Sequence, residues 1–259
     1  MDQQLKISLI QTDNSWEDIE ANLLSLTQKL KETAKDVDLI VLPELFSTGF
    51  TMEADDVAES MDGKGISWMK AMAEEKQSLL IGSLLISEAG VFYNRLIVAF
   101  PDRSIRCYDK RHLFSFAGED KVFKAGTERL VFEYKGFKIC PLVCYDLRFP
   151  VWSRNTEEID VLIYVANWPD ARMQAWDTLL KARAIENLCY VLGVNRVGVD
   201  SNNLVYTGHS SVFDAMGDSL INSEPSKEGI YDTFLKTSHL AAVRDKFSFL
   251  NDRDDFQIT

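Results

Sequence analysis

Phe137-Lys138-Ile139-Cys140-Pro141-Leu142-Val143-Cys144-Tyr145-Asp146-Leu147-Arg148-Phe149-Pro150 decides how this chain is read. Residues 137–143 are a short, nearly unbroken apolar run, the pattern of a strand buried on both faces. A polar turn follows at once, so Cys144 stands at the strand's exit. Open α/β sheets keep their chemistry at the carboxyl ends of strands. A lone cysteine is nevertheless more often a packed core thiol than a nucleophile. The rest of the chain has to decide between the two.

Outward from this strand, 129–133 and 160–165 read as further strands, and 173–189 as a helix with Trp176, Leu179, Leu180, Ile185 and Leu188 as apolar positions. Toward the N-terminus, residues 5–10 read as a strand. Residues 16–33 read as an amphipathic helix burying Ile19, Leu23, Leu26 and Leu30. The run 37–42 is a strand closed by Pro43, which cannot donate to a ladder. A helix is expected near 66–76. The apolar runs 79–86 and 91–100, split by Ser87-Glu88-Ala89-Gly90, predict a hairpin. Strands are also expected at 104–108, 190–195, 210–214 and 229–235. Many strands are joined by short turns rather than crossover helices, so the fold class is α/β with mixed sheets. No linker interrupts the pattern, which predicts one domain over 1–259 with a polar tail at about 251–259.

The 259 residues are 46% hydrophobic, enough for a full core, and 40 acidic against 28 basic residues give a net charge of -12. Phosphate recognition needs clustered cations, so a nucleic-acid partner is disfavoured. No apolar stretch approaches the ~20 residues of a membrane helix, and the N-terminus lacks the basic and apolar regions of a secretory signal. A cytoplasmic protein without a membrane partner is expected. Four cysteines (Cys107, Cys140, Cys144, Cys189) do not make a disulfide framework. The Cys140–Cys144 spacing is not the CxxC of a zinc ribbon, so no metal site is expected.

Glu44 follows the strand closed by Pro43, Lys110 follows the strand at 104–108, and Cys144 follows Val143. An acid, a cation and a thiol at three strand exits are the parts of a thiol hydrolase that works without histidine. The thiol needs a base or a cation to favour its thiolate. Glu44 is the candidate base, which later returns the proton to a leaving amine. Lys110 is the candidate charge for the thiolate and then for the oxyanion, with the Tyr145 N–H as second donor. Cys140, four residues back, is left as core.

Val41-Leu42-Pro43-Glu44, Tyr108-Asp109-Lys110-Arg111-His112-Leu113 and Val143-Cys144-Tyr145-Asp146-Leu147-Arg148-Phe149-Pro150 resemble, in order and spacing, the three signature segments of the nitrilase superfamily of carbon-nitrogen hydrolases. The likeness extends to Tyr164-Val165-Ala166-Asn167-Trp168-Pro169 and Ala182-Arg183-Ala184-Ile185-Glu186-Asn187. It implies a four-layer α-β-β-α sandwich, a homodimer, no cofactor, and a Glu44–Lys110–Cys144 triad. It also implies a second glutamate that orients the lysine, matched here by Glu119, with Asp120 as competitor. The segment 144–155 and Ala166-Asn167-Trp168-Pro169 resemble the ω-amidase branch, whose substrates are small-molecule ω-amides of 2-oxo dicarboxylic acids such as 2-oxoglutaramate and 2-oxosuccinamate. N-carbamoyl compounds, nitriles and modified peptides remain open as alternatives, as does an idle binding or assembly member.

Tyr145, Asn167 and Trp168 are candidates to line the substrate pocket. Arg148 either orients Asp146 or a neighbouring loop, or binds a substrate carboxylate, and the structural role is preferred. His112 invites a Cys–His dyad, but local packing or hydrogen bonding is the expectation. Arg183 and Glu186, three apart, are read as an ion pair. Gly208-His209-Ser210-Ser211-Val212 is not the G-x-S-x-G elbow of a serine hydrolase. Paired carboxylates Glu44 and Glu119 leave a glycoside hydrolase as a further class.

Overall fold

Alternation in the first strand sets the layering. Leu5, Ile7 and Leu9 project to one face of their sheet and Ile10 to the other, and all four are fully buried. A strand covered on both faces requires a layer on each side. The computed structural model describes residues 2–258. Met1 and Thr259, the ends of the expected domain range, lie outside the described residues.

The first half of the chain contains β1 (Gln4–Gln11), α1 (Ile19–Lys31), β2 (Leu39–Val41), the single turn α2 (Ala54–Val57), α3 (Lys64–Lys76), β3 (Leu79–Glu88), β4 (Val91–Ala99), β5 (Ile105–Asp109) and a second single turn, α4 (Glu119–Val122). The second half contains β6 (Phe132–Tyr134), β7 (Phe137–Val143), β8 (Val161–Ala166), α5 (Met173–Asn187) and β9 (Tyr190–Asn195). It continues through β10 (Val197–Val199), β11 (Val205–Thr207), β12 (Ser211–Phe213), β13 (Ser219–Asn222), β14 (Gly229–Lys236) and α6 (Thr237–Lys246). One sheet has the order β14-β1-β2-β3-β4-β5 and the other β13-β12-β9-β8-β7-β6, with β10 and β11 as a separate ribbon.

Strands β1, β2 and β3 run parallel, as do β7, β8 and β9. β4 is antiparallel to both β3 and β5, so β5 points the same way as β2. The exits of β2 and β5 therefore open at one edge of their sheet. Leu5, Ile7, Leu9, Val41, Ile81 and Val98 pack against the second sheet in a continuous core. On the opposite face Ile40, Leu80 and Leu84 meet Leu26 and Leu30 of α1 and Met69 of α3. Trp176, Leu180 and Ala184 of α5, with Leu240 and Val243 of α6, cover the second sheet. The result is the expected α-β-β-α sandwich.

Helix α1 starts where the Asp18 carboxylate caps the Ala21 N–H at 2.9 Å, so its first residue is Ile19 rather than the expected residue 16. Ile19 is only half-buried there. In α5 the buried stripe runs through Trp176, Leu180 and Ala184, so Ile185 falls off it and is 46% exposed. Leu179, also expected on that face, is half-buried. The strand expected at 129–133 forms only at 132–134. Helix α6, not anticipated, buries just Leu240 and Val243, too few apolar positions to show a period.

Candidate active site

Each chemical side chain sits where a strand stops. Leu42 donates to the Ile81 carbonyl (2.7 Å), the last sheet contact before Pro43. The Leu45 N–H then bonds Ser83 Oγ at 2.8 Å, which turns Glu44 inward. Lys110 follows β5, its N–H on the Asn94 carbonyl (3.0 Å) and its carbonyl accepting from Gly126 (3.0 Å). A Cβ at Gly126 would lie 2.1 Å from the Asp109 carbonyl oxygen, so only glycine permits this approach. Glu119 opens α4 and accepts the Phe114 N–H at 2.5 Å.

The side chains converge without exposure. Lys110 Nζ donates to Glu44 Oε1 (2.9 Å) and lies 2.9 Å from both oxygens of Glu119, and all three side chains are shut off from solvent. Asn94 Nδ2 bridges the same carboxylates, 2.8 Å from Glu44 and 3.2 Å from Glu119. From the other sheet, just past β8, the Asn167 N–H donates to Glu44 Oε2 (2.8 Å) and its Nδ2 to the Glu44 carbonyl (2.7 Å). Two carboxylates thus share one ammonium, a buried arrangement tolerable only with these extra donors.

Cys144 has φ 44°, the left-handed region that a residue with a Cβ occupies at a cost of about 1–3 kcal/mol. Asp146 fixes the bend. Its carboxylate accepts the Val143 N–H (3.0 Å), the Tyr108 hydroxyl (2.7 Å) and the His112 N–H (3.0 Å), and it lies 2.8 Å from His112 Nδ1. The elbow is therefore tied to the segment that carries Lys110. Behind it, Arg183 donates to the Leu147 carbonyl at 2.7 Å and to Glu186 at 2.8 Å. Cys144 and Lys110 open onto a cavity of about 540 Å³, whose wall includes Tyr145, Arg148, Asn167 and Trp168.

The carbon-nitrogen hydrolase family matches residues 6–245. The chain belongs to the carbon-nitrogen hydrolases. The hydrolase is 44% identical to the omega-amidase YafV of Yersinia enterocolitica, over 97% of this chain and 98% of the relative. It is 34% identical to the 2-oxoglutaramate amidase of Bacillus subtilis, over 95% and 96%. Among solved structures, XC1258 of Xanthomonas campestris, a superfamily protein with an arsenic adduct in its active site, superposes with a TM-score of 0.97 at 43% identity, covering 99% of both chains. Nit3 of Saccharomyces cerevisiae shares the fold, with a TM-score of 0.85 at 23% identity over 95% and 94%.

The hydrolase's charges bear on its thiol unequally. Burial and the Glu44 carboxylate push the Cys144 thiol well above the ordinary range, against the pull of Lys110. Lys110 does favour the thiolate, as expected, but burial first and then the two carboxylates outweigh that single cation in the resting site. Burial alone pulls the Lys110 ammonium down, but Glu119 and Glu44 more than compensate and raise it. Burial raises the Glu119 carboxyl, with Lys110 opposing.

Glu44, Lys110, Glu119 and Cys144 are brought together, and Asp120 is exposed and takes no part. His112 stacks on Phe149 at 3.6 Å and faces Asp146, leaving no Cys–His dyad. Glu44 and Glu119 are clamped by Lys110 and Asn94 rather than flanking an open cleft, as glycoside hydrolysis requires. Arg148 does not bond Asp146, one of the two structural contacts expected of it. Its guanidinium sits 4.9 Å from the Trp168 ring centre, on the cavity wall. Asn94 escaped the sequence reading, although an asparagine inside an apolar strand was a signal. Arg172, also on the cavity wall, and the β10–β11 ribbon that brings Tyr206 there carried none. Among the described residues no group of three His, Cys, Asp or Glu side chains is arranged to hold a metal ion, and no helix is long and apolar enough to cross a membrane.

Proposed function

We propose that this chain is an ω-amidase that hydrolyses the terminal amide of small 2-oxo dicarboxylic acid monoamides, 2-oxoglutaramate and 2-oxosuccinamate, to the free acid and ammonia. The observation that carries the reading is a thiol on a strained strand exit beside a buried Glu44–Lys110–Glu119 cluster, at the head of a cavity. The names of the Yersinia and Bacillus relatives, aligned over nearly the whole chain, support the substrate class.

In this reading Cys144 attacks the amide carbon while Glu44 takes the thiol proton, so the thiolate never accumulates at rest. The raised thiol supports a proton transfer coupled to attack. The new S–C bond leaves an oxyanion held by the Lys110 ammonium and the Tyr145 N–H. Glu44 gives its proton to the amide nitrogen as the C–N bond breaks, releasing ammonia and leaving a thioester. Glu44 then takes a proton from water, whose oxygen attacks the thioester carbon. The thiolate departs and recovers that proton. Glu119 and Asn94 position Lys110 and Glu44 without touching the substrate.

The reading extends to the whole protein: one catalytic domain, working as a homodimer in the cytoplasm. Four free cysteines are consistent with a reducing compartment. Ile185, half exposed beside Gly217 on the outer helix layer, is apolar surface that a second copy would cover.

Ammonia release from 2-oxoglutaramate by wild type and Cys144→Ala tests the proposal. Turnover by wild type and a loss of at least about 10⁴-fold in the variant are expected. Undiminished turnover in the variant would remove the thiol from the mechanism. An inert wild type would remove the substrate, and N-carbamoyl compounds and nitriles come next.

A further inference from the structure

Two guanidinium groups on the cavity wall lack counter-ions. Arg148 rests on Trp168, and Arg172 lies 5.0 Å from the Phe114 ring centre. Among the described residues neither guanidinium makes an ion pair or donates a hydrogen bond, whereas Arg95, Arg183, Arg196 and Arg244 are each engaged with carboxylates. An aromatic seat offsets part of the charge and uses none of the five N–H donors in the usual carboxylate geometry. Three carboxylates also line the cavity, and none pairs with either arginine. Asp200 is occupied by the Asn202 and Leu204 N–H groups and the Tyr206 hydroxyl, Glu17 accepts from Thr51, and Glu53 makes no ion pair with Arg148 or Arg172.

In a protein of net charge -12, two half-buried guanidinium groups that pair with none of the carboxylates on the same wall leave their donors free for an incoming anion. Both are anchored relative to the thiol. Arg148 ends the turn that begins at Cys144, and the Arg172 carbonyl accepts the Trp168 indole N–H at 2.9 Å.

Resting on the amide-hydrolase reading, we propose that Arg172 is the specificity residue of this site, reading with Arg148 the free carboxylate at the far end of the substrate. The enzyme thereby selects ω-monoamides of dicarboxylic acids over neutral amides of the same length. Arginine suits the task because its planar fork pairs both carboxylate oxygens, which a lysine does not.

The test compares kcat/KM for glutaramate and glutaramide, which differ only in the carboxylate end. Arg172→Gln is expected to lower that ratio roughly 10- to 100-fold, the loss of a charge-assisted pair, mainly through KM. Arg172→Lys is expected to recover part of it. A ratio within twofold of wild type in Arg172→Gln overturns the proposal, as does a drop found only in Arg148→Gln. Calorimetric binding of 2-oxoglutarate to Cys144→Ala, with and without Arg172→Gln, reads the same contact without turnover. Binding weakened by a similar factor supports the clamp even if the wild type hydrolyses neither amide, which would sink the amidase reading alone. Equal binding overturns the clamp.

Discussion

Cys140 and Cys144 are four positions apart, one inside β7 and one just past its end, and their surroundings assign them opposite fates. Cys140 lies within β7, wholly buried among apolar side chains, and burial pushes its thiol up to about 12. Cys144, 9% exposed at the strand's end, is raised as well, by burial and by Glu44. Resting acidity therefore does not mark the nucleophile. What separates the two is a route to the cavity, a base to take the proton as the bond forms, and a cation to meet the charge that follows.

The sharpest way to break this comparison is to exchange the losses. Cys140→Ala is expected to keep ammonia release within about threefold, the change of a core packing defect. Iodoacetamide is expected to modify Cys144 and to spare Cys140 under native conditions, as read by mass spectrometry of peptides. Modification of Cys140 first, or inactivation by Cys140→Ala at the level of Cys144→Ala, would mean that access and neighbours are not what distinguishes the pair.

Much of this contrast was legible in the chain. Strand exits are marked by apolar runs that end abruptly, at Pro43 and after Val143, and the chemistry stands directly behind them. What stayed hidden depends on register and packing. Asn94 pairs across from Leu85 and reaches both carboxylates only because β3, β4 and β5 align as they do. Glu119 and Asp120 are adjacent in sequence, and only the one-turn helix after Gly118 (φ 79°) turns the former to Lys110. The ribbon of β10 and β11 has three residues per strand, below what alternation reveals. The direction of the thiol's shift was not legible, because burial and two carboxylates act on it against one ammonium, a balance set by packing and distance rather than by residue types.

That balance supplies the next test. Burial raises Glu119, so the folded protein holds its proton more tightly than the unfolded chain does. The associated stabilisation is fully present below the model-peptide value of 4.5 and is lost as pH rises through the folded value. Activity has the opposite dependence, since a protonated Glu119 ceases to hold Lys110. On acidification kcat/KM is expected to fall with an inflection above 4.5 that belongs to the Glu44–Lys110–Glu119 cluster. In Glu119→Gln that inflection should move, and the rate should drop on the order of 10²-fold because Lys110 is no longer held in place. An unchanged profile in the variant would reduce Glu119 to packing.

The smallest effect isolates the backbone from the chemistry. Cys140 occupies an extended strand and Cys144 a left-handed bend, so removing the sulfur at position 144 still leaves a Cβ where φ is 44°. Cys144→Ala and Cys144→Gly are both inactive in the proposed mechanism, yet they differ in strain. The left-handed conformation costs an L-residue roughly 1–2 kcal/mol, while glycine loses about 0.5–1 kcal/mol through its freer unfolded chain. Denaturant unfolding is therefore expected to find the glycine variant more stable by about 0.5–1 kcal/mol. At a strand position such as 140 the order should reverse. A Cys144→Ala protein more stable than Cys144→Gly would mean that the elbow relaxes once the thiol is gone, and that the bend is maintained by the sulfur's contacts rather than by the Asp146 network beneath it.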